Sequence, residues 1–385
     1  MSKHSLRSTK KTIAILFTNY GPYHLARVKA FQHLVKKDDC QVIGIEITRD
    51  GVDYQWQTDV ENSDLKIYAI LGNLKPDEVS RNITVKKTFD LLSHINPDVI
   101  VIAGYARLSM LSALFWSLWY RKPSITLSDS KEDDEPRIWW KEGIKSFLVN
   151  KYSSALVAGN KHKKYLVKLG FPEDGIFMGY DVVDNSVFHP DKIKQLPSPI
   201  HKPYFLSINR FVAKKNLLLL ITAYAHYHQK VGDKAWDLVL CGDGELRPQI
   251  EGLIKQYQLE NHVYLPGFLQ QGEMLPYFAH AQAFIHASIT EQWGLVVNEA
   301  MAAGLPVIVS NRCGCFEDLV MEGINGFGFN PENQAELTNL MLKMSSEDID
   351  LEAMGKASLS HIQKYSPDYF AQGLKSAIDF AINKT

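Results

Sequence analysis

Two carboxylates stand eight residues apart in the segment Glu291-Gln292-Trp293-Gly294-Leu295-Val296-Val297-Asn298-Glu299, which runs on through Ala300, Met301 and Gly304 to Pro306. If Glu291 closes a loop and Glu299 lies two turns into a helix, both can face one ligand. Such a helix begins near Gly294 and Leu295, where free N–H groups and the positive end of the dipole suit a phosphate. Gly304-Leu305-Pro306 then ends the helix and launches a strand. Other polar groups recur just after apolar runs. Asn209-Arg210 and Lys215-Asn216 form a basic loop, of a kind that is elsewhere often plain solvated surface. Gly242-Asp243-Gly244-Glu245-Leu246 is a glycine turn that serves equally as a tight connection or as a ligand contact. Asn19-Tyr20-Gly21-Pro22-Tyr23-His24 follows the first apolar run; at Gly21 no Cβ blocks close approach to the backbone, and His24 and Arg27 lie one helical turn apart.

These groups need a scaffold that brings loop ends together. Short β-branched runs alternate with longer helical patterns along all 385 residues, the signature of parallel sheets built from βα units. In the first half the strands are expected at Thr12–Thr18, Gln41–Ile47, Lys66–Ile70, Asp98–Ala103, Ser124–Leu127, Ala155–Ala158 and Ile176–Gly179. Phe188 to Pro203, rich in Pro, Lys and His, reads as a linker. A second series is expected at Tyr204–Asn209, Asp237–Cys241, His262–Leu265, Ala283–Ala287, Pro306–Ser310 and Gly326–Phe329. The expected organisation is therefore an α/β chain with a Rossmann-like domain at 1–190, a second at 200–366 and a helical tail at 367–385. Two doubly wound domains in succession imply a cleft, with ligands at the carboxyl ends of the strands.

Composition narrows the function classes. Hydrophobic residues make up 45% and charged residues 22%, ordinary values for a globular chain. A formal net charge of -1 argues against nucleic acid as the main partner. Four cysteines are too few for a disulfide framework, and the Cys313-x-Cys315 pair has no second pair or histidine at zinc-ligand spacing. A reducing, cytoplasmic setting fits these. The apolar run after the basic N-terminus, Ile13 to Phe17, is shorter than a signal-peptide core, and Leu108 to Tyr120 is shorter than a membrane span. A dinucleotide dehydrogenase is disfavoured because no G-x-G-x-x-G follows the first strand.

The segment from Glu291 to Ser310 resembles the E-x7-E signature of retaining GT-B glycosyltransferases, in particular glycosyltransferase family 4. The resemblance implies two Rossmann-like domains facing across a cleft, with the C-terminal helix crossing back to the first. By it, Glu291 holds hydroxyls of the donor sugar and Glu299 the ribose hydroxyls. Arg210 and Lys215 grip the donor diphosphate and stabilise the leaving nucleotide. Gly242, Gly267, Phe268, Gly294 and Leu295 line the nucleotide site, and Gly21 approaches the donor phosphates or the acceptor. The implied activity is retaining transfer of a sugar from a nucleotide-diphosphate sugar to a glycan, lipid-linked or other acceptor, with neither metal nor cofactor. Asp348-Ile349-Asp350 reads as helix-start chemistry rather than as a metal clamp. One departure stands out: the family's first-domain histidine is missing from Thr126-Leu127-Ser128-Asp129-Ser130, so Ser128 or Asp129 takes its place. Asp129, as acceptor-side base, and His24 complete the candidate catalytic set. The alternatives are a non-catalytic nucleotide-sugar-binding protein and a GT-B sugar-nucleotide isomerase. Residues 137–168 carry eight Lys/Arg against one acid, with Trp139 and Trp140 near the start, and are a candidate for peripheral contact with anionic headgroups at the inner membrane face or with a lipid diphosphate.

Overall fold

The computed structural model describes residues 10–49 and 64–384; the N-terminal residues 1–9, with most of the basic start, fall outside them. Among the described residues, thirteen strands form two all-parallel sheets. The first holds β1 (Lys11–Phe17), β2 (Cys40–Glu46), β3 (Lys66–Ala69), β4 (Val99–Ala103), β5 (Ser124–Ser128), β6 (Ser154–Val157) and β7 (Ile176–Met178), in the order β3-β2-β1-β4-β5-β6-β7. The second holds β8 (Tyr204–Ile208), β9 (Asp237–Cys241), β10 (Val263–Gly267), β11 (Ala283–His286), β12 (Val307–Ser310) and β13 (Gly326–Phe329), in the order β10-β9-β8-β11-β12-β13. Every strand expected from the sequence is present. Ile13–Phe17 and Val99–Ile102 are buried without alternation, as strands covered on both faces must be.

The first domain carries α1 (Pro22–Leu34), α2 (Arg81–Ile95), α3 (Leu108–Trp119), α4 (Trp139–Val149) and α5 (Asn160–Lys168). Two short helices, α6 (Asn185–Phe188) and α7 (Pro190–Ile193), lead into the second domain. There α8 (Leu217–Val231), α9 (Arg247–Gln256), α10 (Gln271–His280), α11 (Leu295–Ala302), α12 (Phe316–Leu319), α13 (Gln334–Met344) and α14 (Leu351–Ile362) follow. Asp350 caps α14, accepting the Ala353 N–H at 2.9 Å, which is the helix-start role read from the sequence. Each sheet has an apolar cluster on either face. On the first, Leu92, Met110, Ala113, Val149 and Leu166 fill the side covered by α2 to α5.

The last helix, α15 (Pro367–Lys384), leaves the second domain and packs against α1 and the first sheet, burying Phe370, Leu374 and Ala377 there. Ser154 Oγ donates to the Ala377 carbonyl at 2.8 Å, across 223 residues of sequence. A Cβ on Gly373 would meet the Met178 carbonyl oxygen at 2.2 Å, so glycine is what allows this close docking.

The segment read as a linker is packed rather than open. Phe188 and Ile193 are buried in the second domain's core, with the Phe188 ring 5.5 Å from that of Phe278. The basic stretch 137–168 does not make one cationic face either. Lys163, Lys164 and Lys168 pair with Glu173, Glu317 and Glu132, and Lys161 donates to the Asn311 carbonyl. Most of its second half is neutralised, partly by the second domain.

Candidate active site

The second-domain half of the site is built at the carboxyl edge of its sheet. The chain leaves β8 through Arg210, which is exposed, and a single 3-10 turn, Ala213–Lys215. The loop after β11 is tied to that turn by the Ile289 N–H, which donates to the Lys214 carbonyl at 2.8 Å. The tie sets Lys215 against Glu291, and the ammonium donates to the carboxylate. Ser288 Oγ donates to the same oxygen at 3.2 Å, and His286 Nε2 lies 3.4 Å from it. Burial opposes ionisation of Glu291, yet the His286 hydrogen bond and the Lys215 charge prevail and hold it well below the usual carboxylate range. Burial lowers the pKa of His286, with the Glu291 hydrogen bond working the other way.

Gly294 caps α11 with φ of 106°, a left-handed turn that favours glycine. It lets Leu295 begin the helix just after Glu291 and places Glu299 on its second turn, buried. The glycine turn after β9 serves the Arg210 loop directly. Gly242 has φ of 131°, and a Cβ there would meet the Asn209 carbonyl oxygen at 1.8 Å. Phe211 N–H donates to the Asp243 carbonyl at 2.8 Å, and Gly242 N–H to that of Gly267 at 2.7 Å. Gly242→Ala is therefore expected to cost at least about 2 kcal/mol and to weaken nucleotide stabilisation; a wild-type melting temperature would overturn this. Gly267 has open space beside it, and Phe268 follows, half exposed.

The first-domain half is also at a carboxyl edge. Gly21 caps α1 with an extended backbone, and its N–H donates to His24 Nδ1 at 3.2 Å. The His24 ring packs 4.2 Å from Phe17, and burial, reinforced by Arg27, lowers its pKa to about 3. Arg27 is buried, donating through Nε to the Val182 carbonyl at 2.9 Å and pairing with Asp181 at 3.3 Å. Burial, with the neighbouring charges of Asp129 and Glu291 adding, lifts Asp181 to about 7 against the pull of Arg27. Asp129 is raised in the same way, first by burial and then by Asp134 and Glu291. Three carboxyl groups from the two domains thus share one field, balanced by Arg27 and Lys215. The Lys131 ammonium, buried beside Asp129 in sequence, is paired with Asp133 and Asp134.

Across the cleft, the Tyr23 hydroxyl of α1 donates to Glu299. Burial raises Glu299 to about 7, with the Tyr23 hydrogen bond working the other way. Asn160 binds Asp318, and His162 Nε2 lies 2.9 Å from the Gln292 carbonyl oxygen, next to Glu291. The structure brings His24, Asp129, Lys215, Glu291 and Glu299 to facing edges of the two sheets. Tyr23, Arg27 with Asp181, and His286 with Ser288 are the partners to which the motif gave no role.

This architecture, two parallel-sheet Rossmann-like domains joined by a returning C-terminal helix, is the GT-B fold of glycosyltransferases. Anabaena Alr3699/HepE in complex with UDP-glucose superposes with a TM-score of 0.75 at 17% identity, covering 96% of this chain and 99% of that one. Residues 189–361 match the model of glycosyl transferases group 1. The amylovoran biosynthesis glycosyltransferase AmsK of Erwinia amylovora is 30% identical over 200 residues, 50% of this chain and 46% of that protein. The alpha-monoglucosyldiacylglycerol synthase of Acholeplasma laidlawii is 25% identical over 169 residues, 44% of this chain and 41% of that one. These two alignments take in less than half of each curated relative. Together the matches show the GT-B fold for the chain and a likeness to group 1 glycosyl transferases over residues 189–361.

Proposed function

We propose that the protein transfers a sugar from a nucleotide-diphosphate sugar to an acceptor hydroxyl, with retention at the anomeric carbon and without a metal ion. The observation that carries this reading is the half-buried Lys215–Glu291 pair beside the start of α11, facing Asp129 and Asp181 across the cleft. Lys215 and Arg210 supply the positive charge that a departing diphosphate needs, in a partly desolvated setting where it counts for more than in water. Glu291, ionised and anchored by His286 and Ser288, accepts from donor-sugar hydroxyls. Glu299 accepts from the ribose, in place of its bond from Tyr23. The acceptor hydroxyl attacks from the face that the nucleotide leaves, through an oxocarbenium-like state, and the departing phosphate takes the proton.

Asp129 lies on the acceptor side of the cleft in this reading, and burial raises its pKa above the ordinary carboxylate value, which suits an acceptor-side base. The acceptor belongs to polysaccharide or glycolipid assembly in this reading, and the setting is cytoplasmic. Support for that acceptor class comes from two relatives, one an amylovoran biosynthesis glycosyltransferase and one an alpha-monoglucosyldiacylglycerol synthase. No described helix is long and apolar enough to cross a membrane.

The first test is a thermal-shift series with UDP, GDP, ADP and their sugar conjugates, with and without EDTA. A ligand at about 100 times its Kd adds about 2.7 kcal/mol of stability, so one nucleotide should stand out and EDTA should not change it. No shift with any nucleotide would overturn the reading. Release of nucleotide diphosphate with an acceptor, or slowly by hydrolysis, separates a transferase from a protein that only binds the donor. Interconversion of donor sugars without release would mark an isomerase.

A further inference from the structure

Helix α4 is built the wrong way round for a helix that merely covers a sheet. Its inward side is polar: Glu142 accepts from the Tyr165 hydroxyl at 2.8 Å and Ser146 Oγ donates to the Leu169 carbonyl at 2.6 Å. Val149 is its one fully buried residue. Its outward side is apolar, with Trp139 86%, Trp140 50%, Ile144 52% and Phe147 61% exposed. An amphipathic helix normally turns these faces the other way, because burying the apolar side supplies the stability.

Helix α3, over the same face of the first sheet, continues the pattern with Phe115 and Trp119 exposed and no charged residue along its length. Nine of the fifteen exposed large apolar side chains among the described residues fall between Phe115 and Phe147. A concentration of this kind marks a contact surface rather than ordinary scatter.

The charges around the patch select its partner. Arg121, Lys141 and Lys151 are exposed at its margin, and no carboxylate pairs with any of them among the described residues. Lys141 lies over the Trp140 ring at 5.6 Å and Lys151 over Phe147 at 4.6 Å. The one acid of α4, Glu142, is turned inward onto Arg137, Lys145 and Tyr165. Aromatic rings with cations at their rim suit the boundary of an anionic bilayer, where rings sit at headgroup depth and ammonium groups reach lipid phosphates.

We propose that the exposed face of α3 and α4 docks the protein on an anionic lipid surface. Trp139 and Trp140 begin α4 directly after the loop that carries Asp129, so docking brings the acceptor side of the cleft to the headgroups. Only that last consequence rests on the transferase reading. The docking itself does not.

The test is co-sedimentation of the full chain with phosphatidylcholine vesicles and with vesicles that also contain phosphatidylglycerol. Wild type should be retained by the anionic vesicles. Retention should fall at least about tenfold when Trp139→Ala and Trp140→Ala are combined, and about fivefold for Lys141→Glu. All these side chains are exposed, and nucleotide-dependent thermal stabilisation, read on the same samples, should stay at the wild-type value. That second readout separates failure of docking from failure of the donor site. Absence of wild-type retention, or equal retention of wild type and both variants, would overturn the proposal. So would a wild-type dimer that the tryptophan variant turns into a monomer without any vesicle binding, because the patch would then belong to a second copy.

Discussion

Lys215→Ala is expected to lower kcat/KM by at least about tenfold and to reduce stabilisation by nucleotide diphosphate. Fixed donors aimed at developing negative charge are worth about a hundredfold in other active sites, so tenfold is a floor. The substitution also removes the ammonium from a half-buried carboxylate. Breaking a buried pair costs up to about 3–5 kcal/mol, softened here because His286 and Ser288 still reach Glu291. Activity must therefore be compared below the variant's own melting temperature. The pH sign separates the two effects. The depressed pKa of Glu291 contributes stability that is present above the unfolded carboxylate range and lost as pH falls through the folded value. Without Lys215 that contribution shrinks, so the variant's stability deficit should be largest near neutral pH and should close in acid. A variant with wild-type kcat/KM and wild-type nucleotide stabilisation would remove Lys215 from the donor site.

Strands were the most legible part of the chain because buried parallel strands are written as short continuous apolar runs. Val307–Ser310 and Tyr204–Ile208 need no partner to be recognised. The E-x7-E segment was legible because its order is local: loop, cap, helix and strand follow within twenty residues. What sequence left open depends on distance in the chain. Tyr23 meets Glu299 across 276 residues; Gly21 and His24 beside it mark the loop as a cleft edge, but nothing in the sequence pairs it with Glu299. Asp181 carried a weak signal, an acid just past the carboxyl end of β7, the edge on which such sheets bind ligands. His286 was a lone histidine in an apolar strand, usually a core residue, and it is one. Its role follows only from Glu291 folding back over it. Pro, Lys and His dominate the linker's composition, while two apolar residues, Phe188 and Ile193, decide its packing. The charge count over 137–168 is similarly incomplete. It sums residues of α4 and α5 that face different partners, and the exposed rings of α4 say more than the net charge.

Glu299→Gln separates a binding role from a structural one. As the ribose holder, Glu299 must present a carboxylate, since ribose hydroxyls donate to it. Its pKa of about 7 therefore predicts donor affinity that rises as pH rises through neutrality. Replacing the carboxyl group by an amide would abolish that pH dependence and cost at least about tenfold in kcat/KM. Stability should move in the opposite direction. A carboxyl group raised from its ordinary 4.5 to about 7 binds more protons in the folded than in the unfolded state across that interval. The folded protein is favoured below it and loses that advantage as pH rises through it, a change of about 3 kcal/mol at most. Removing the ionisable group should flatten the decline between these pH values while leaving the part due to Asp181, which is raised in the same sense. Urea titrations at several pH values give the stability slope, and nucleotide titrations over the same range give the affinity slope. If the variant keeps both wild-type slopes, Glu299 is neither the titrating group nor the ribose acceptor. If it loses the stability slope but keeps donor affinity, the carboxyl group serves only the Tyr23 contact that joins the domains.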